Sequence, residues 1–262
     1  MEKTKIDWCD SSWNPVTGCL HSCKYCYARS IANRFSGGGE KWTDDALIEL
    51  NDRIYFDESE KAEAYPYGFK PTLHRYRLNE YEKKSGRNIF VCSMADLFGH
   101  WVPDSWIEEF FSACAKAPQH NYLFLTKNPE RFVDLQNNGK LIAADNMWYG
   151  ASATNEDQLE LAAKAFSELS CQTKTFLSVE PILEDITVSK YWDYCMDAHL
   201  VDWVIVGAET GHRKDKVVPE RDWIRSITFD CYDESIPVFM KSSLADIWRN
   251  SLVQEFPKEL LR

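Results

Sequence analysis

The chain has 262 residues, 44% of them hydrophobic and 14% aromatic, and a formal net charge of -11. That composition excludes a disordered or collagen-like chain and supports one large domain with a buried core. No run approaches the ~18 uncharged apolar residues of a membrane span, and the acidic balance argues against broad binding to phosphate backbones while leaving room for a local basic groove. The N-terminal residues carry no apolar leader-like stretch. Nine cysteines, an odd number, cannot all pair internally, so the expectation is a soluble, cytoplasmic protein with reduced thiols and no membrane partner.

A strand is predicted before Gly18, followed by a cysteine-rich loop over 19–26. Residues 27–35 read as a helix stopped by Gly37-Gly38-Gly39. The segment from about 36 to 87 breaks the rhythm and reads as an insertion. Residues 88–92 form a short buried strand. A helix starts at Pro103-Asp104 with Trp106, Ile107, Phe110, Phe111 and Cys114 on one stripe. Residues 121–126 are a strand, Asn128-Pro129-Glu130 cap a helix, and Asn138-Gly139 close it. A strand over 147–152 precedes a helix opened at Asn155-Glu156, with Leu159, Ala163, Phe166 and Leu169 on one face. Then come a strand at 175–179, a helical stretch at 191–196, a strand at 203–207, a helix at 220–227 and a last strand at 237–240. The alternation predicts an α/β chain of about seven parallel strands covered by helices, one domain over 1–262.

Three cysteines, Cys19, Cys23 and Cys26, fall within eight residues. The other six (Cys9, Cys92, Cys114, Cys171, Cys195, Cys231) have no paired spacing, and small buried hydrophobes are the plain reading of them. Soft thiolates on a short loop select zinc, copper(I) or an iron–sulfur cluster. A structural zinc site normally takes four ligands, and His21 lies inside the same tight loop, where closing a tetrahedron is awkward. A 4Fe-4S cluster on three cysteines leaves one iron open to a ligand that is not protein. A structural metal and unrelated thiols remain as alternatives.

Cys19-x-x-x-Cys23-x-Tyr25-Cys26, with an aromatic just before the last cysteine, resembles the signature of the radical S-adenosylmethionine (SAM) enzymes. The surrounding Asp7-Trp8, Trp13-Asn14-Pro15-Val16-Thr17-Gly18 and Tyr27-Ala28-Arg29 resemble a more particular group, the phage-associated radical-SAM-like proteins of unknown function. That likeness extends through Ser93-Met94-Ala95-Asp96-Leu97-Phe98 and Val179-Glu180-Pro181 to Gly207-Ala208-Glu209-Thr210-Gly211, so it covers most of the chain.

The resemblance implies a radical-SAM-type β/α barrel, partial or full, with a segment inserted after the first helix. It implies that Cys19, Cys23 and Cys26 ligate a 4Fe-4S cluster and that SAM chelates the fourth iron. It also implies an electron donor such as flavodoxin or ferredoxin. Reductive cleavage of SAM would then yield methionine and a 5′-deoxyadenosyl radical that abstracts hydrogen from a substrate.

Barrel enzymes place chemistry at the C-terminal ends of their strands. Asn14, Ser93, Asp96, Thr126, Lys127, Ser152, Thr154, Ser178, Glu180, Glu209, Thr210 and Lys241 all fall there. Strand alternation sets Ser178 and Glu180 on the face of Phe176 and turns Glu209 inward, while Leu177 and Val179 face the helices. Any one of these residues could simply cap a loop, but a set on one rim points to a site. Gly18 lets the backbone turn into the cysteine loop. Tyr25 is expected to pack beside the cluster. Ser93 and Asp96 stand where radical-SAM enzymes often carry a Gly-Gly-Glu that binds the SAM amino group. Ser152 and Thr154 are candidates for the SAM ribose or carboxylate, and Glu180 and Glu209 for ribose or substrate. Lys127 and Lys241 offer positive charge to a substrate. Cys92 is either a hydrogen-atom donor to a product radical or a packed core thiol.

The insertion is electrically divided. Residues 40–63 carry nine acidic and three basic side chains, whereas 70–87 carry six Lys or Arg against Glu80 and Glu82. The basic half is interleaved with Tyr65, Tyr67, Phe69, His74, Tyr76 and Tyr81. Cations with aromatic faces suit unpaired or flipped bases, which makes Arg75 and Arg77 candidate phosphate contacts; a solvated face with snorkelling side chains is the plainer reading. Three functions follow from the sequence. They are a radical-SAM enzyme on a nucleobase, nucleotide or nucleic acid, for modification or repair; a radical-SAM enzyme on a peptide or small metabolite; and a non-catalytic iron–sulfur or zinc protein.

Overall fold

Ten short strands and six helices are laid out in a computed structural model that describes residues 4–36, 47–55, 61–194, 200–211 and 213–261, with backbone alone at 192–194. In chain order they are β1 (Ser11–Trp13), β2 (Val16–Thr17), α1 (Tyr27–Arg34), β3 (Ile48–Leu50), β4 (Thr72–His74), β5 (Asn88–Val91), α2 (Asp104–Lys116), β6 (Asn121–Thr126), α3 (Glu130–Asn137) and β7 (Met147–Ser152). They continue as α4 (Glu156–Ser167), β8 (Lys174–Val179), β9 (Val204–Val206), α5 (Arg221–Asp233), β10 (Val238–Met240) and α6 (Ala245–Trp248). Seven strands form one sheet in the order β1-β5-β6-β7-β8-β9-β10, and each neighbouring pair is parallel. The sheet curls into a half-barrel whose edge strands, β1 and β10, do not pair with each other.

Strand alternation sorts the core into two layers. Tyr122 and Phe124 of β6, Met147, Tyr149 and Ala151 of β7, Leu177 and Val179 of β8, and Val204 and Val206 of β9 pack outward against the helices. Their partners there include Trp106, Phe110 and Cys114 of α2, Phe132 of α3, Leu159 and Phe166 of α4, and Ile224 and Ile227 of α5. The intervening residues Phe90, Leu123, Trp148, Phe176, Trp203, Ile205 and Phe239 point the other way and fill the concave side with Trp8 and Leu260. Both faces of the sheet are thus buried, which is why its strands read as nearly continuous apolar runs.

The predicted strands at 88–92, 121–126, 147–152, 175–179, 203–207 and 237–240 all appear, within a residue or two at their ends. Three details differ. The helix expected over 220–227 continues to Asp233, because Cys231 extends the buried stripe of Ile224 and Ile227. Asn128 does not cap α3; its Nδ2 donates to the Phe98 carbonyl at 2.9 Å instead, and Pro129 takes the cap position. The helical stretch expected at 191–196 is a 3-10 helix over Val188–Tyr194, and 195–199 lie outside the described residues.

The insertion, described at 47–55 and from 61 onward, is tied to the main sheet. β4 pairs antiparallel with β2 and parallel with β3. The indole of Trp106 donates to Glu49 at 2.7 Å and that of Trp13 to the Arg77 carbonyl at 2.8 Å. At the far edge, residues 253–255 run antiparallel to β10, with Met240 N–H donating to the Val253 carbonyl at 2.7 Å and Glu255 N–H to the Val238 carbonyl at 2.8 Å. No helix among the described residues is long and apolar enough to cross a membrane.

Candidate functional site at the cysteine loop

The loop from Cys19 to Cys26 lies at the C-terminal rim of the sheet and is held along its length. At its start Gly18 has a φ of +85°, and a Cβ there would meet the Lys70 carbonyl oxygen at 2.2 Å. Gly18 N–H donates to the Met94 carbonyl at 3.0 Å and Cys19 N–H to that of Phe69 at 3.3 Å. In its middle, His21 Nε2 donates to Asp96 Oδ2 at 2.8 Å, and its ring meets Trp101 edge-on at 4.8 Å. At its end the Cys26 sulfur caps α1, accepting from Arg29 N–H at 3.3 Å.

All three cysteines are free and half-buried. The Cys19 sulfur accepts from His21 N–H at 3.4 Å. Burial, with the charges of Asp96, Cys23 and Cys26 adding to it and the His21 N–H opposing, pushes the Cys19 thiol up to about 12. Among the described residues no group of three or more His, Cys, Asp or Glu is arranged to hold a metal ion. The sulfurs therefore share a loop without closing on a common point, two of them being engaged by backbone N–H groups of their own segment. As a donor set, three adjacent thiols that repel one another as thiolates suit a thiophilic cation or an iron–sulfur cluster.

The remaining expected residues separate into groups. Glu180 and Lys241 meet as an ion pair whose side chains are 24% and 15% exposed. Gly207 lies beside them, where a Cβ would come within 3.0 Å of the Lys241 side chain and 3.1 Å of that of Glu180, so a larger residue would press on both members of the pair. Glu209 is inward and buried, and Arg213 grips it with two bonds of 2.7 Å. That guanidinium holds the Glu209 carboxyl below the usual carboxylate range. Ser152 and Ser178 continue the inward faces of β7 and β8, opposite one another in register. A cavity of about 340 Å³ joins the cysteine loop to this rim, lined by Lys24, Tyr25, Cys26, Tyr27, Ser30, Ile31, Arg34, Glu209, Thr210, Gly211 and Arg213.

Other candidates are committed elsewhere. Asp96 is 5% exposed and accepts from His21, from Lys127 N–H at 2.9 Å and from Phe98 N–H at 3.0 Å. The Lys127 ammonium lies 5.4 Å from the centre of the Tyr25 ring. Ser93 donates to Asn14 Oδ1 at 3.1 Å, and its carbonyl accepts from the Tyr27 hydroxyl at 2.8 Å. Thr154 is buried and donates to Gln158 at 2.9 Å, within the start of α4. Cys92, with a φ of +57°, leaves the strand alternation and sits 2% exposed in the core on the helix side of the sheet. Arg75 is bonded twice to Glu109 through Nε, at 3.1 and 2.9 Å, and pairs with Glu49 at 2.8 Å. Arg77 donates to the carbonyls of Asn14 and Ala64. Arg75 thus ties the insertion to α2, and Arg77 ties it to the turn between β1 and β2. Cys195 lies outside the described residues.

Sequence reasoning missed Tyr27 and His21. Tyr27 followed the last cysteine as an ordinary helix residue, yet the residue is 48% exposed and lines the cavity. His21 drew attention only as an unlikely ligand, and its bond to a residue 75 positions away has no local signature.

These features define an α/β protein with a curled parallel sheet and a three-cysteine loop at its C-terminal rim. Residues 3–255 match the family described as Protein of unknown function (DUF5131), and the chain belongs to that family. No curated protein and no solved structure matches the chain.

Proposed function

We propose that the protein is a radical-SAM enzyme, with Cys19, Cys23 and Cys26 as the cysteine ligands of a 4Fe-4S cluster and SAM as the second cofactor. The observation that carries the reading is the position of the cysteine loop: it faces, across one cavity, the rim where Glu209 turns inward. When bound, the cluster and SAM supply one-electron reduction and hydrogen-atom abstraction. The chain's own residues bind and shield. Trp8, Trp148, Phe176 and Trp203 close the concave side beneath the rim and keep water from below. The Glu180–Lys241 pair presents a carboxylate and an ammonium together, which suits the amino and carboxyl groups of an amino-acid moiety. Buried Glu209, kept ionised by Arg213, can accept from hydroxyl groups such as those of a ribose. A reducing, cytoplasmic setting suits the free thiols, and a small electron carrier such as flavodoxin or ferredoxin is the partner the chemistry requires.

For the substrate we favour a nucleobase, nucleotide or nucleic acid. The support is the rim cavity, where Tyr25 and the exposed Tyr27 lie among Lys24, Arg34 and Arg213. Aromatic faces with cations are what unpaired bases and their phosphates require.

The test is anaerobic reconstitution with iron and sulfide, followed by iron analysis and an assay for 5′-deoxyadenosine. Wild type should bind a cluster and form 5′-deoxyadenosine, Cys19→Ala should lose the cluster, and exposed Cys171→Ala should keep it. A wild type without a cluster rejects the reading. For the substrate, salt-sensitive binding of single-stranded DNA or RNA should weaken in Arg34→Ala more than in Arg75→Ala. The absence of any such binding would leave a peptide or small metabolite as the substrate class.

A further inference from the structure

We infer that Asp96 is a positioning residue that, through His21 on one side and Lys127 on the other, fixes the shape of the three-cysteine loop. The inference rests on the reading above only in treating that loop as the seat of a cluster. Three observations carry it. Asp96 is buried, and its carboxylate accepts from three N–H donors, two of them on other segments, His21 and Lys127, and one in its own turn, Phe98. One oxygen, Oδ2, takes both His21 Nε2 and the Lys127 N–H, so a single atom joins the cysteine loop to the end of β6. Lys127 then returns to the same loop, its ammonium over the ring of Tyr25. The loop is therefore gripped at position 21, between the first two cysteines, and at position 25, just before the third.

A carboxylate buried with three N–H donors has its acceptor capacity well used and little left for a ligand. This assigns Asp96 to shaping the loop, in place of contacting the SAM amino group. It gives Lys127 the same task, in place of a substrate contact. His21 gains a reason to stand among the cysteines without being a ligand: its ring, wedged against Trp101, transmits the position of Asp96 to the loop backbone.

Asp96→Asn is the informative change, because it keeps an oxygen for the Phe98 turn and puts an NH2 where Oδ2 meets two donors. The first measurement needs no cluster: the rate at which iodoacetamide alkylates Cys19, Cys23 and Cys26 in the metal-free protein, read by peptide mass spectrometry. Loss of a buried, charge-assisted hydrogen bond should accelerate alkylation by roughly tenfold in Asp96→Asn and in His21→Ala. Exposed Cys171 should keep its wild-type rate in both. His21→Gln, which can still donate to Asp96, should restore most of the protection. The Asp96→Asn/His21→Ala double variant should be no faster than the quicker single one, because both remove the same link. In cluster-loaded protein the same variants should shift the reduction potential and the electron paramagnetic resonance signal. Wild-type alkylation rates in both single variants, or additive effects in the double one, would overturn the inference. Protected thiols in a wild type that takes up no cluster would instead reject the enzyme reading and leave the clamp standing. If Asp96→Asn does not fold, the His21→Ala and His21→Gln pair decides alone.

Discussion

At the scale of single residues, ionisation is set by what each group faces. Glu209 and Arg213 form a pair one helical turn apart in number, yet the carboxylate is 2% exposed and the guanidinium 29%. The guanidinium and its hydrogen bonds keep the carboxyl below its ordinary value of 4.5 in the folded protein, against the opposing push of burial. A carboxyl whose native pKa is lowered adds stability above its unfolded pKa, and that stability is lost as pH falls toward the native value. Urea unfolding of wild type and Arg213→Ala should therefore differ most above pH 5 and converge below 4.5. A difference that grows as pH falls would contradict the pairing. Cys92 makes a related point. Strand parity alone would face it inward, but its positive φ turns it into the helix-side core. Burial raises its thiol pKa and the Asp96 charge adds to that, against a hydrogen bond with the Val16 backbone, which favours the protonated state of an inert core cysteine.

At the scale of elements, the regular parts were legible because their periods are strong. The stripe of Trp106, Ile107, Phe110, Phe111 and Cys114 is the buried face of α2, and Asn155 caps α4 by accepting from Gln158 N–H at 3.0 Å. The insertion was not legible in the same way. Its basic and aromatic residues have a composition that a nucleic-acid surface and an internal brace share, and only contacts distinguish the two. Arg75 joins Glu49 of β3 to Glu109 of α2, distances of 26 and 34 residues that no local pattern records. The passage from β2 into the cysteine loop gives a sharper case. Gly18 crosses the backbone of Phe69 and Lys70 so closely that any side chain must displace it, at a φ that other residues rarely adopt. Gly18→Ala should lower unfolding free energy by about 3 kcal/mol or more. It should also raise the susceptibility of 19–26 to proteolysis before global unfolding, and an unchanged denaturation midpoint would refute the account.

At the scale of the whole molecule, the half-barrel is completed from its own C-terminal segment. Residues 253–255 cover the β10 edge, and Phe256 packs on Trp203 and Phe239 with centroids 5.4 and 5.1 Å away. The carbonyls of Glu259 and Leu260 receive Asn121 and Asn88 from the opposite side of the sheet, at 3.0 and 2.8 Å. Ending the chain at residue 250 should expose a sheet edge and the concave aromatic layer together. The truncated protein should bind the dye ANS, melt at least several degrees lower and aggregate on heating; a cooperative, dye-silent melt at the wild-type temperature would refute this role. The sequence by itself determined the seven parallel strands, the two faces of the strand at 175–179 and the grouping of Cys19, Cys23 and Cys26, because hydrophobic period and short-range spacing are local properties. Tertiary structure decided what the rim residues do. It set Glu180 against Lys241, Glu209 against Arg213, Arg75 against Glu49 and Glu109, and Asp96 against His21. Charged side chains choose partners by distance in space, and the curl of the sheet brings together residues that lie far apart along the chain.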